Sequence, residues 1–296
     1  SITMQSHFKK LSLECKKRIK KIKCLEIGSN DGVFIKNFSK KNTIAVEPCS
    51  NLANITKKNG YKTYPVFWDQ KISKKILKKY GKRNLIFSAN TISHIEKLDE
   101  VFLSVKKLLD KDGMFIFEDP YILSVLKNNS YDQFYDEHVH VFSLIAISKL
   151  LRIHKLRIID TEILTTHGGS IRFYVARENS KYKISRFVKK TYKFEISQKL
   201  NKFSTYKKFS YRVQKSRIKI AKLLKELKKK NKKVISYGAT YKSATIFNYC
   251  NIDSSLIDFV TDTTKNKQGK YTPGKHLLIK PSCDMVKEKI DYAFLG

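Results

Sequence analysis

Two rhythms alternate along the chain. Short apolar runs bounded by polar or glycine-containing turns read as buried strands, and between them apolar residues recur at helical spacing. Residues 4–20 form a lysine-rich amphipathic pattern that predicts a helix. Residues 22–27 (IKCLEI) predict a buried strand, which breaks into Gly28-Ser29-Asn30-Asp31-Gly32, with an apolar-periodic helix expected to resume at Val33-Phe34-Ile35. Further strands are expected at 43–46, ending in Glu47, and at 62–66, 84–88 and 114–118, with helices at 51–59, 71–79 and 98–109. Strands alternating with helices imply a doubly wound parallel sheet. Ligands of such sheets bind beyond the carboxyl ends of the strands, and Gly28, Glu47, Asn90, His94, Glu118 and Asp119 all fall there.

Residues 156–164 and 170–176 alternate and are rich in β-branched residues, so they predict an antiparallel pair joined through 165–169. Residues 187–230 are basic and helical by pattern, with one long helix expected over 203–230, and read as a linker. A second α/β unit is expected from the strand 233–237 (KVISY), the Gly238-Ala239 turn, a helix from Lys242, and a strand over 256–260 leading to Asp262. Residues 292–295 are again strand-like.

At 296 residues and 41% hydrophobic content, the chain has room for two packed domains and is not globally disordered. No run of 18 apolar residues predicts a membrane span, and His7, Lys9, Lys10 and Glu14 interrupt any signal-peptide core. The five cysteines, Cys15, Cys24, Cys49, Cys250 and Cys283, show no C-x-x-C spacing. That argues against a zinc site or a disulfide framework in this stretch and suits a reducing cytoplasm. The net charge of +35 invites a nucleic-acid partner. Only nine of the 61 basic residues are Arg, the preferred reader of phosphates and guanine edges, and the lysines are spread along the chain. Compositional drift in an AT-rich genome explains the charge better, although a positive field would still attract a phosphate-bearing substrate.

The glycine turn has the spacing G-x-x-x-G rather than the G-x-G-x-x-G of a dinucleotide site. Ser29, Asn30 and Asp31 supply no positive charge, which disfavours a pyrophosphate and suits a cationic cofactor. Glu47, at the end of the next strand, is placed to accept from ribose hydroxyls. Residues 131–143 (YDQFYDEHVHVFS) are the densest polar cluster, with Tyr135, Asp136, Glu137, His138 and His140 close together. A histidine among carboxylates can act as a general base, and a phenol can donate to a developing oxyanion. The i, i+2 histidines with Glu137 are only a weak signal for a metal. His94 is a second candidate on the substrate side. Gly238, Thr240, Lys242 and Ser243 open a helix, a place where an anion could bind.

Several segments together resemble the sugar C-methyltransferases: LEIGSNDGVF at the first turn, ANTISHI at 89–95, FEDPY at 117–121, YDEHVHVFS at 135–143, HGGSIRFY at 167–174, YGATYKSAT from Tyr237, and DTTKNKQGKYTPGKHLLI. They occur in that family's order over nearly the whole chain. The resemblance implies a Rossmann-like class I methyltransferase domain (1–180), a basic helical linker (181–231) and a truncated second Rossmann-like α/β domain (232–296). It implies C-methylation of a nucleotide-linked keto-deoxysugar with S-adenosylmethionine as cofactor. His138 would be the base, with Glu137, Tyr135 and His94 beside it. Glu26, Gly28, Asn30, Gly32, Glu47 and Asn90 would hold the cofactor, and Tyr237, Lys242, Lys270 and His167 the substrate. It further implies that zinc belongs only to an N-terminal domain outside this chain, that the C-terminal end is also incomplete, and that the chain alone binds cofactor but turns over little sugar. Competing expectations are O- or N-methylation of another small molecule, a non-catalytic nucleic-acid-binding protein, and an NAD-linked sugar oxidoreductase.

Overall fold

The computed structural model describes residues 2–295. Its elements in order are α1 (Ile2–Arg18), β1 (Cys24–Ile27), β2 (Thr43–Val46), α2 (Ser50–Lys58), β3 (Lys62–Tyr64), α3 (Gln70–Tyr80), β4 (Arg83–Ala89), α4 (Leu98–Leu108), β5 (Leu109–Pro120) and α5 (Ile122–Asn128). There follow α6 (Leu144–Ile153), β6 (Leu156–Leu164), β7 (Ser170–Arg177), α7 (Arg186–Ser197) and α8 (Phe203–Lys229). The last are β8 (Val234–Tyr237), α9 (Tyr241–Cys250), β9 (Val260–Asp262), β10 (Ile279–Pro281), α10 (Asp284–Lys287) and β11 (Tyr292–Leu295).

The described residues divide into two compact units, one of residues 2–124 and 139–201, the other of 125–138 and 202–295. The first holds a seven-stranded sheet in the order β3-β2-β1-β4-β5-β7-β6. β1 to β5 run parallel, and β7 runs antiparallel to both β5 and β6. This is the Rossmann-like methyltransferase sheet with its closing antiparallel pair. β1 and β2 are buried at every position, as strands covered on both faces must be. Phe8, Leu11 and Cys15 of α1 join Phe34, Phe87, Met114 and Ile116 in one core cluster. The second unit has a smaller all-parallel sheet, β10-β9-β8-β11, and its own core of Leu224, Val234, Phe247, Ile257, Val260 and Leu277.

Two elements differ from expectation. No α-helix follows the glycine turn before β2, only two 3-10 turns at Ile35–Asn37 and Lys40–Asn42. Phe34, Ile35 and Phe38 are all buried, and β2 begins at Thr43, so the apolar spacing is satisfied by one tight turn that drops its side chains into the core. The strand expected at 256–260 starts only at Val260. The amides of Leu256 and Ile257 bond back to the Asp253 carbonyl, and the Asp253 carboxylate takes the Ser255 amide at 3.0 Å, so a local turn competes with the ladder. The basic stretch expected as a linker forms two helices packed on different units: α7 lies on β6 and α6, α8 on α9 and β8.

Candidate functional site

In the first unit, β1 gives way to a loop in which Gly28, Asn30 and Gly32 have φ of 70°, 49° and 81°. Gly28 is constrained twice: its backbone is left-handed, and a Cβ there would lie 2.2 Å from Thr91 Oγ1. The amides of Gly28 and Ser29 both donate to the Val46 carbonyl at the end of β2. The Asn30 amide donates to one oxygen of Glu47 at 2.7 Å, and the Cys49 amide to the other at 2.9 Å. Glu47 is buried. It clasps the glycine loop to the start of α2, which places the expected ribose acceptor where the two loops meet.

Glu26 sits inside β1. Burial pushes its carboxyl well above the usual range, the Ile35 amide opposes that, and the nearby Glu47, Asp31 and Glu118 raise it further. Its Oε2 and the Ser29 hydroxyl are buried without a partner. The carboxyl end of β1 thus gathers three acidic side chains, Glu26, Asp31 and Glu47, within a chain of net charge +35, and burial favours the protonated form of Glu26. A buried polar atom without a partner is costly, and a cationic ammonium placed beside Glu26 would favour its ionised form and give Oε2 a donor. No α-helix opens at this turn to offer its amides to a phosphate, and the Asn30 amide already serves Glu47. These residues fit the ammonium and sulfonium end of S-adenosylmethionine, and they fit a dinucleotide pyrophosphate poorly.

Asn90, with φ of 48°, follows β4 and donates its amide to the Glu118 carbonyl. His94 is exposed on the adjoining 3-10 turn, Ile92–His94. The expected strand-end acid Glu118 is engaged elsewhere: its carboxylate takes Arg172 Nε at 3.0 Å and His7 Nε2 at 3.0 Å. His167 is exposed in the β6–β7 turn with φ of 54°.

In the second unit, the residues 131–138 pack onto the start of α9. The rings of Tyr135 and Tyr241 stack at 5.8 Å with 4° between planes, and Lys242 pairs with Asp132 at 3.9 Å. His138 Nδ1 lies 2.9 Å from the Gln133 carbonyl, which can only accept. Nδ1 therefore carries a proton, and in the neutral tautomer Nε2, 3.0 Å from the Tyr135 hydroxyl, accepts from it. Burial, with Glu137 and Tyr241, raises the Tyr135 hydroxyl, so it stays protonated. Glu137 is exposed and acts on Tyr135 through its charge. In that tautomer the imidazole can take a proton and the phenol beside it can donate to an oxyanion. His140, by contrast, falls to the first unit, where its amide donates to the Ser93 carbonyl. Among the described residues no group of three His, Cys, Asp or Glu is arranged to hold a metal.

Tyr237 is half-exposed at the end of β8. The following turn is largely self-satisfied: Thr240 and Ser243 form a capping box, and Asp262 accepts from the Ala239 amide at 3.0 Å and from Lys267 at 3.1 Å. Burial raises the Asp262 carboxyl, but bonds from Thr264, Lys267 and Ala239 outweigh it and hold it at about 2. A protein carboxylate thus occupies part of the anion position expected at this helix start. Lys270 is exposed in the β9–β10 loop. Sequence reasoning missed Tyr241, Gln133 and Lys267. All three lay within quoted segments, Gln133 in YDQFYDEHVHVFS, Tyr241 in YGATYKSAT and Lys267 in DTTKNKQGK, but no local pattern gave any of them a role.

Residues 3–160 match the model of the methyltransferase domain family, and residues 165–295 match that of the C-methyltransferase C-terminal domain. The chain is 31% identical over 257 residues to the C-methyltransferase NovU of Streptomyces niveus, a match covering 86% of this chain and 61% of NovU. Among solved structures, an S-adenosylmethionine-dependent methyltransferase from Clostridium acetobutylicum is 17% identical with a TM-score of 0.47, covering 58% of this chain and 92% of its own. The magnesium protoporphyrin IX methyltransferase of Synechocystis, with S-adenosylhomocysteine bound, is 15% identical with a TM-score of 0.44, covering 60% and 84%. Among the described residues no helix is long and apolar enough to cross a membrane. With the methyltransferase-domain model matching more than half of its length and the Rossmann-like sheet in place, the chain belongs to the methyltransferase domain family.

Proposed function

We propose that this chain catalyses C-methylation of a nucleotide-linked keto-deoxysugar with S-adenosylmethionine. The observation that carries the reading is the His138–Tyr135 pair, an imidazole whose Nε2 faces a phenolic hydroxyl. His138 Nε2 takes a proton α to a ketone once the Tyr135 hydroxyl turns from it to the carbonyl oxygen, where Tyr135 or His94 steadies the enolate. The nucleophilic sugar carbon then forms its bond to the electrophilic methyl that a bound sulfonium cofactor would supply, the methyl–sulfur bond breaking and S-adenosylhomocysteine leaving as a neutral thioether. Glu26, Ser29 and Glu47 bind that cofactor, with Gly28, Asn30, Gly32 and Asn90 shaping the loops around it. Tyr237, Lys242 and Lys270 serve the nucleotide sugar, and His167 is a further contact on the substrate side. NovU, which carries C-methyltransferase in its name, supports carbon rather than oxygen or nitrogen as the acceptor. The chain spans about three fifths of NovU's length, so the sugar specificity is inferred.

The test is deuterium uptake at the carbon α to the ketone of a nucleotide-linked 4-keto-deoxysugar in deuterated buffer. The parent should exchange that proton, and His138→Asn should slow it about 10²–10⁴-fold. O- or N-methylation needs no such exchange. Undiminished exchange in His138→Asn would move the base elsewhere, with His94 the first alternative.

A further inference from the structure

The turn from Asn90 to His94 presses on the glycine loop, because Thr91 fills the space a side chain on Gly28 would need. A single 3-10 turn at Ile92–His94 has little rigidity of its own. It is gripped from outside. The Ser93 amide donates to Asp119 Oδ1 at 3.1 Å, and the Ser93 carbonyl accepts from the His140 amide at 3.0 Å. Asp119 lies on β5 and is wholly buried, facing Ile171 across the β5–β7 pair. Its Oδ2 and the Ser93 hydroxyl both lack a partner of good geometry. A carboxyl in such a place is expensive for the fold, and an apolar residue would pack there without that cost.

We propose that Asp119 is a positioning residue that holds the Thr91–His94 turn against Gly28 and thereby sets the shape of the loop that takes the cofactor. The second half of this rests on reading the first unit as the S-adenosylmethionine site. Burial pushes the Asp119 carboxyl up to about 7, with the Ser93 side chain and amide pulling it down, Glu118 pushing it up and the Ile92 amide pulling it down. The ionised form accepts more strongly and favours a cation nearby, so cofactor affinity rises as pH passes upward through that value. Glu118 is the charged neighbour, Ile92, Ser93 and Ile171 are neutral, and His94 and His140 are the titratable rings on the adjoining segments.

Two readouts test this on the ligand-free and the ligand-bound protein. Hydrogen exchange of peptides covering 90–95 reports the grip without any ligand. Asp119→Ala should raise exchange at the Ser93 amide about tenfold or more, and Asp119→Asn, which keeps an acceptor, should restore most of the protection. Titration of S-adenosylhomocysteine should show affinity about 10–100-fold weaker in Asp119→Ala. S-adenosylmethionine affinity should rise from pH 6 to 8 in the parent and stay flat in Asp119→Asn. Unchanged Ser93 protection in Asp119→Ala overturns the positioning role, and a pH dependence of the same size in Asp119→Asn and parent overturns the part given to Asp119 ionisation, since Glu26 would then carry it. If Asp119→Ala does not fold, Asp119→Asn still carries the pH arm. A parent that binds neither cofactor form overturns the cofactor reading, while loss of Ser93 protection in Asp119→Ala would still support the grip on the turn.

Discussion

Glu47 closes the glycine loop with both carboxylate oxygens, so its removal acts on shape as well as on the ribose contact. Glu47→Ala should weaken S-adenosylhomocysteine binding by about 1.5–3 kcal/mol, the range for a hydrogen bond to a charged group. Glu47→Gln keeps one acceptor and should lose less; calorimetric titration of both variants checks the order, and equal affinity of Glu47→Ala and parent would remove Glu47 from the site. Asp119 also makes a stability prediction. Its carboxyl stands at about 7 in the fold because of burial, against roughly 3.9 for an unfolded Asp. The folded state therefore holds more protons between those values, and stability falls as pH rises from about 4 to 7, then levels. Buried Glu26 shifts in the same direction. Asp262, lowered to about 2, acts oppositely, with stability present above about 4 and lost below. Urea unfolding at pH 5 and pH 7.5 should show a smaller difference in Asp119→Asn than in the parent.

Among the elements, the strand–glycine–strand frame was legible because apolar runs and glycine turns are local signals. The helix expected after Gly32 was not, since Phe34, Ile35 and Phe38 at helical spacing suit one tight turn equally well. Gly28 was read as a turn residue lying close to the cofactor; the close approach of Thr91, 63 residues on, is one that only the fold brings to it. The same holds for the Tyr135–Tyr241 stack and for the Gln133 carbonyl that fixes the His138 tautomer. The residue types of the base were legible in YDEH, but the unit they pack with was not. Gly28→Ala should cost about 1–2 kcal/mol from the left-handed backbone, plus the clash with Thr91. Adding Thr91→Ala removes the Oγ1 and Cγ2 contacts and should recover most of the clash, leaving the backbone cost and a residual Cβ contact at 2.9 Å, a split that thermal unfolding of the single and double variants measures. At the start of α9, Thr240→Ala breaks the capping box and should cost about 0.5–2 kcal/mol, read in the stability of the second unit.

At the scale of the molecule, the cofactor-side candidates lie on the first unit, and the base lies on the second with Tyr241 and Lys242. S-adenosylhomocysteine at 100 times its Kd should stabilise the first unit, which carries the cofactor-side residues, by about 2.7 kcal/mol, read by calorimetry. The central claim is that the acidic, helix-free glycine loop takes a cationic S-adenosylmethionine rather than a dinucleotide. Isothermal titration of S-adenosylhomocysteine and NAD, each into the parent and into Glu47→Ala, tests it most directly. The account predicts one-to-one binding of S-adenosylhomocysteine that weakens in Glu47→Ala, and no measurable NAD binding. Binding of NAD with no response to S-adenosylhomocysteine would contradict it.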